Sequence, residues 1–269
     1  MDISNINYIK EKTENFKHNS LEYIDFEDIK DYEIICDNEQ LLALYGLKNK
    51  FNMYEIHWAT NEAKYLIDFV KQLNKEIFIS FIPNKWVDLL KSNNFIEYGV
   101  LRDYWINGLD SIPNCENYIE LTEDECEEAS NVTLMCKEQS REFFGETAEW
   151  FKEWINSDDS IDSDYKDSSV LVHKEDTCIA GIVCVATYGH DSPRGIVVWI
   201  RELAVNPKLQ GRGIGRKLLL QALNYGKEHG AVRSFLMADD CNTNAINLYK
   251  NIGFVPNEEA GQIDMVFHF

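Results

Sequence analysis

Three groups of residues carry most of the chemistry legible in this chain. The first is Gln210-Gly211-Arg212-Gly213-Ile214-Gly215, which follows an apolar stretch and opens a helical repeat. Glycines let a backbone turn sharply and come close to a ligand, while the free N–H groups and dipole of a helix start favour an anion. A phosphate-bearing ligand is implied. The spacing is not G-x-G-x-x-G and no Gly-Lys-Ser/Thr follows, so the dinucleotide fingerprint and the P-loop are both excluded. The second group runs from Asn242 through Tyr249 to Gly253-Phe254, with the Asn seven residues before the Tyr. The third is Arg201-Glu202, two charges interrupting the otherwise apolar run 196–205 near its carboxyl end. Burying such charges is costly without a purpose or a partner.

Val205-Asn206-Pro207-Lys208-Leu209 and the glycine loop that follows resemble the acetyl-CoA-binding signature of the GNAT superfamily of N-acetyltransferases, Gln/Arg-x-x-Gly-x-Gly/Ala. The Asn242–Phe254 segment is similar to a later motif of the same family. The resemblance covers about residues 118–269 well and the first third only in degenerate form. It implies an α/β (α+β) fold, a mixed and mostly antiparallel twisted sheet flanked by helices, whose central strands splay into a cleft. It also implies transfer of an acetyl group from acetyl-CoA to a primary amine, by direct attack in a ternary complex with no acyl-enzyme. A non-catalytic acyl-CoA-binding regulatory module is the alternative; it would keep the loop but not need Tyr249.

Under that resemblance, backbone groups of Leu203, Ala204 and Val205 pair with the pantetheine arm as if it were an added strand. The loop Gln210, Gly211, Arg212, Gly213, Ile214, Gly215 and Arg216 holds the pyrophosphate through N–H groups, Asn242 contacts the pantetheine, and Tyr249 sits near the thioester sulfur. A tyrosine hydroxyl can protonate a departing thiolate. An amine like that of lysine, with a pKa of about 10.4, must lose a proton before it attacks. Glu202 is the candidate for receiving it through water, or else a structural ion-pair partner. Neighbours on a strand point to opposite faces, so Arg201 and Glu202 are not expected to pair with each other. The acceptor site is expected near Arg141-Glu142-Phe143-Phe144-Gly145-Glu146, where the aromatics either suit an amine with an apolar body or are core residues of a helix. His173, His190 and His229 are isolated and read as surface or packing residues. Seven scattered cysteines without a C-x-x-C pair suggest reduced thiols in a cytoplasmic protein, and no metal site is expected at Cys178 and Cys184.

The elements that must position these residues follow from periodicity. Strands are expected at 170–175, 178–188 and 196–205 as an antiparallel meander, then a helix at 216–228 with Leu219, Leu220 and Leu223 on one stripe, a strand at 234–238, a helix at 243–251 and a last strand at 262–269. That last strand is expected as an exposed edge, open to pairing between chains. Upstream, 118–121 reads as a short strand, Thr122-Glu123-Asp124-Glu125 as a helix start, and 147–155 as a second helix. Residues 33–36, 41–46, 53–59, 62–73, 77–82 and 85–93 repeat the plan faintly. Ala59 aligns with Ala204 at an offset of 145, 64–66 with 217–219 at 153, and 89–95 with 248–254 at 159. The chain therefore reads as a tandem duplication, a degenerate domain at 1–108 and a catalytic one at 117–269, divided within the polar segment 107–117. The first copy has no glycine between Gly46 and Gly99, Pro83 where Asn242 aligns, and Leu90 in place of Tyr249. It is expected to bind no CoA and to buttress the second copy or shape the amine pocket.

Composition bounds the rest. The chain has 269 residues, 45% apolar and 27% charged, which is ordinary globular usage. Lys and Arg number 26 against 46 Asp and Glu, a balance of −20, which argues against a nucleic-acid or anionic-membrane binder and suits a cationic or amine partner, small molecule or peptide. No secretory leader or membrane-length apolar segment is seen.

Overall fold

The computed structural model describes residues 3–24, 29–48, 52–115, 117–137, 139–141, 143–156 and 165–269. The chain divides into two compact units: unit 1 is Met1–Leu101 with Glu259–Phe269, and unit 2 is Arg102–Glu258. Unit 1 runs α1 (Ile3–Thr13), β1 (His18–Asn19), β2 (Glu33–Asp37), β3 (Leu41–Lys48), β4 (Met53–Thr60), α2 (Ala63–Gln72), β5 (Ile77–Ile79), α3 (Val87–Lys91) and the start of β6 (Phe95–Asn107). From Arg102 onward β6 belongs to unit 2, which continues with β7 (Ile119–Glu120), α4 (Cys126–Met135), α5 (Ala148–Ile155), β8 (Tyr165–Glu175), β9 (Cys178–Tyr188), β10 (Val197–Val205), α6 (Ile214–Glu228), β11 (Arg233–Asp239), α7 (Thr243–Ile252) and β12 (Val255–Pro256). The chain then returns to unit 1 as β13 (Gln262–Phe267).

In unit 2 the strand order is β6-β11-β10-β9-β8-β7. Strands β8, β9 and β10 form the expected antiparallel meander, and β11 lies parallel to β10. Helix α6 covers one face. It buries Leu218, Leu219, Ala222 and Leu223 fully, while Leu220, expected on that stripe, stays half-buried. Gly226 lets the helix lie close on β10, because a Cβ there would stand 2.5 Å from the Val198 side chain. Helices α4 and α5 cover the other face with Ala129, Val132 and Phe151. The start at Thr122 is the predicted capping box with Glu125, and the Thr147 hydroxyl caps α5 by accepting from the Trp150 N–H at 3.1 Å.

Unit 1 has the order β2-β3-β4-β5-β13-β6, with β4 and β5 parallel. It shows the same succession of meander, helix, parallel strand and short helix. Three sequence expectations change here. The last strand is not an exposed edge: Met265, Val266 and Phe267 pair with β5 on one side and with β6 on the other, and all three are buried. The polar segment 107–117 is not where the compact units part, because β6 runs unbroken through residue 101. The strand ends at Asn107, where the turn residues of that segment begin, so they close β6 rather than separate the units. The helix expected over 85–93 shrinks to Val87–Lys91 behind a 3-10 turn at Asn84–Trp86, since Pro83 fixes the entry to that turn.

Candidate active site

Strands β10 and β11 pair only from Val197 to Trp199 with Arg233 to Phe235, whereas β10 stays on β9 as far as Val205 opposite Gly181. Beyond Trp199 the two parallel strands part. The Asn206 N–H donates to the Ala180 carbonyl of β9 at 2.9 Å. By the alternation of a strand, Ala204 therefore turns its backbone groups to β9, while Leu203 and Val205 turn theirs to the gap. The Val205 carbonyl already accepts from Gln210 Nε2 at 3.0 Å and Cys136 Sγ at 3.2 Å. Leu203 and the Val205 N–H are what the edge offers a ligand.

The gap opens into a cleft of about 670 Å³. Leu203, Ala204, Val205, Gln210, Gly211, Gly213, Ile214, Gly215, Arg216, Asn242 and Tyr249 all line it, so residues far apart in sequence meet at one place. Arg212 does not line it; its side chain is exposed and lies 3.4 Å from Glu175. Gly211 and Gly213 have φ of +79° and +85°, and a Cβ on either would meet nothing within 4 Å. Glycine is required there by the backbone, and the space in front of the loop stays free for a ligand. The N–H groups of Ile214, Gly215 and Arg216 form the first turn of α6 and have no acceptor within the helix. Asn242 caps α7, its Oδ1 accepting from the Ala245 N–H at 3.2 Å.

Tyr249 is buried on α7, with its ring 6.2 Å from that of Tyr104 and edge-on to Phe254. Burial first, then the charge of Glu202, push its phenol well above the ordinary value. Among the described residues nothing hydrogen-bonds its hydroxyl. Arg201 and Glu202 depart from expectation. A β-bulge between Ile200 and Glu202 inserts Arg201 as an extra residue opposite β9, so the alternation of faces fails and Arg201 Nη1 lies 3.9 Å from Glu202 Oε1. The same guanidinium lies 3.3 Å from Glu146 Oε1 and 4.3 Å over the Trp150 ring.

The described residues of the segment expected to line the acceptor site, Arg141 and 143–146, are not helical. Phe143 packs against the α4–α5 core, and Phe144 lines a pocket of about 360 Å³ with Lys137, Ser140, Arg141 and Cys241. Cys241 also lines the cleft, so the two spaces meet at it. Glu142 lies outside the described residues. Sequence reading missed Gln139, whose Oε1 accepts from Gln210 Nε2 at 3.0 Å in the cleft wall, and Asp239, the buried partner of Arg141. The only trace of the latter was an acid standing directly after an apolar strand. His190 and His229 serve packing, bonded to Thr187 and the Tyr225 carbonyl. Among the described residues no group of His, Cys, Asp or Glu is placed to hold a metal ion, and no helix is long and apolar enough to cross a membrane.

A family model described as Acetyltransferase (GNAT) family matches residues 133–254, from within α4 to the turn after α7. Residues 133–254 form a GNAT acetyltransferase domain. An uncharacterized N-acetyltransferase of Methanocaldococcus jannaschii is 27% identical over 111 residues, 41% of this chain and 46% of its own length. A mycothiol acetyltransferase of Nocardia farcinica is 39% identical over 54 residues, 20% of this chain and 18% of its own. The matched stretches thus span less than half of these curated relatives. A solved acetyltransferase from the GNAT family from Colwellia psychrerythraea has a TM-score of 0.60 over 100% of this chain and 97% of that chain, at 12% identity, a likeness of fold. The GNAT domain contains every residue that lines the cleft.

In unit 1 the strand edge at the corresponding place between parallel strands is already paired. Strand β1 pairs with β4, His18 opposite Thr60 and Asn19 opposite Ala59, and the Ser20 N–H donates to the Trp58 carbonyl at 2.8 Å. Trp58 is fully buried and its indole N–H donates to the Ser80 carbonyl at 3.1 Å, just past β5. A strand of the chain itself takes the free edge of β4, the Trp58 indole reaches across to the residue after β5, and a space of about 300 Å³ remains between His18, Asn19 and residues 81–84.

Proposed function

We propose that this protein transfers the acetyl group of acetyl-CoA to a primary amine, a small molecule or peptide, by direct attack. The observation that carries the reading is the convergence, in one cleft, of an unpaired strand edge, a glycine loop opening a helix, and Tyr249. The site fits the coenzyme: the loop offers first-turn N–H groups and open space to a diphosphate, and Leu203 with the Val205 N–H offers backbone partners to a pantetheine amide. Arg216 adds a positive charge at the loop. Asn242 presents its side chain to the same cleft. Acetyl-CoA, when bound, supplies the acetyl thioester.

The chain's own residues then have two proton tasks. Glu202, at the bulge and 18% exposed, takes a proton from the bound ammonium through water, with Arg201 beside it, and the neutral amine so formed attacks the thioester carbon. Tyr249, whose phenol carries its proton at neutral pH, donates it to the thiolate as that leaving group develops charge. The pocket at Phe144, Ser140 and Cys241 is the proposed place for the apolar body of the amine. An acidic chain favours a cationic acceptor over nucleic acid or an anionic membrane. The test is release of free thiol from acetyl-CoA with a panel of amines, repeated with Tyr249→Phe. Turnover by the native protein, lost in the variant while acetyl-CoA still binds, supports the reading. Binding of acetyl-CoA without turnover on any amine favours a non-catalytic acyl-CoA-binding module.

A further inference from the structure

Where β10 and β11 part, Cys136, Gln139, Ser140 and Arg141, which follow α4, reach from one to the other. At the β10 end, the Cys136 thiol donates to the Val205 carbonyl, and Gln139 Oε1 accepts from the same Gln210 amide that also donates to that carbonyl. At the β11 end, Ser140 and Arg141 are held by Asp239, whose side chain is 1% exposed. Its Oδ2 accepts from the Arg141 N–H at 3.0 Å, Arg141 Nε at 2.9 Å and Ser140 Oγ at 3.4 Å. Its Oδ1 accepts from Arg141 Nη2 and from the Cys241 N–H. Burial would raise this carboxyl, but Arg141 and the backbone donors hold it well below the usual carboxylate range. A two-pronged guanidinium–carboxylate pair fixes direction as well as distance.

We propose that Arg141 and Asp239 are positioning residues for the coenzyme. Their buried pair holds the residues after α4 over the mouth of the cleft and keeps the separation of β10 from β11 at the width a pantetheine arm needs, with Gln139 set in the wall. This rests on the reading that the cleft takes acetyl-CoA. A pair that only stabilised the fold would change how much protein is active, not how tightly the active fraction holds its coenzyme.

The test uses the full chain and acetyl-CoA itself. Calorimetry on the native protein comes first; no binding there overturns the functional reading and not the geometry. Given binding, Arg141→Met weakens acetyl-CoA about tenfold and raises its KM by the same factor, with kcat within about twofold. Arg141→Lys lies between, because an ammonium does not reproduce the fork. Gln139→Ala loosens the other end without leaving a buried charge, and weakens acetyl-CoA in the same direction even where Arg141→Met fails to fold. A folded Arg141→Met or Gln139→Ala that keeps the native dissociation constant overturns the proposal, as does a fall in kcat at unchanged KM.

Discussion

The indole N–H of Trp58 donates to the carbonyl of Ser80 across the place where unit 1 would otherwise stand open. With β1 lying on β4 alongside, the edge that Leu203 and Val205 leave unpaired in the GNAT domain has its partner in unit 1. A strand that already has two neighbours offers nothing to a third.

One equivalent of acetyl-CoA per chain is therefore expected by calorimetry. Two equivalents of similar affinity would show that β1 and Trp58 leave room for the coenzyme, and the account of unit 1 would be wrong.

Tyr249→Phe removes a proton donor and little volume. A fall in kcat of about a hundredfold with acetyl-CoA affinity nearly unchanged is expected. Because burial and Glu202 raise the phenol, its ionisation does not limit the rate at neutral pH, and the native profile shows no loss on the alkaline side from this group below about pH 10. Glu202→Gln acts on the other proton transfer. Without the base the variant is slower by about a hundredfold at neutral pH, and the dependence on pH that remains is that of the amine itself. A Glu202→Gln protein that keeps the native rate and the native pH profile assigns the base elsewhere.

In unit 1 the acid sensitivity has a different source. Glu55, 3% exposed, accepts from Tyr32, Lys48 and Ser80 and faces His57 Nε2 at 3.4 Å. Burial would raise its carboxyl; His57 and then Lys48 outweigh this and bring it to about 2. A folded value below the unfolded one adds stability that is present above the unfolded value and lost as pH falls towards the folded one. Glu55→Gln should cost roughly 3 kcal/mol at pH 7, and the gap to the native protein should shrink between about pH 4.5 and pH 2, read by denaturant unfolding at each pH. A gap independent of pH excludes this ion network as the cause.

Two glycines in the GNAT domain separate binding from folding. Gly213→Ala meets no atom, but φ of +85° strains a residue with a Cβ by about 1 kcal/mol and disturbs the loop, so weaker acetyl-CoA binding with a small loss of stability is expected. Gly226→Ala drives a methyl into Val198, so the loss, about 1–3 kcal/mol, falls on thermal unfolding while the dissociation constant of surviving protein stays native. The reverse pattern would misplace both residues.

Much of the GNAT domain was legible because its signals are local. The glycine loop, the helix after Asn242, the Thr122 capping box and the 178–188 strand each depend on residues within a few positions of one another. What was not legible depends on distance or on a break in period. One inserted residue at Arg201 reversed the expectation that it and Glu202 face apart, and nothing in the apolar run signals a bulge. The Arg141–Asp239 pair joins residues 98 apart in sequence, with an acidic segment around Arg141 that offers many partners. The destination of the last strand was invisible for the same reason, since alternation identifies a strand without naming its neighbours.

The placing of β13 bears on the order in which the protein can take shape during synthesis. Residues 77–79 and 95–101 flank a slot that residues 262–267 fill, so the sheet of unit 1 is whole only after the intervening GNAT domain has been made. Such long loop closure slows folding and leaves bare edges exposed meanwhile. Nicking the chain ahead of residue 259 would therefore injure unit 1, although the partners of the severed strand lie far from the cut in sequence.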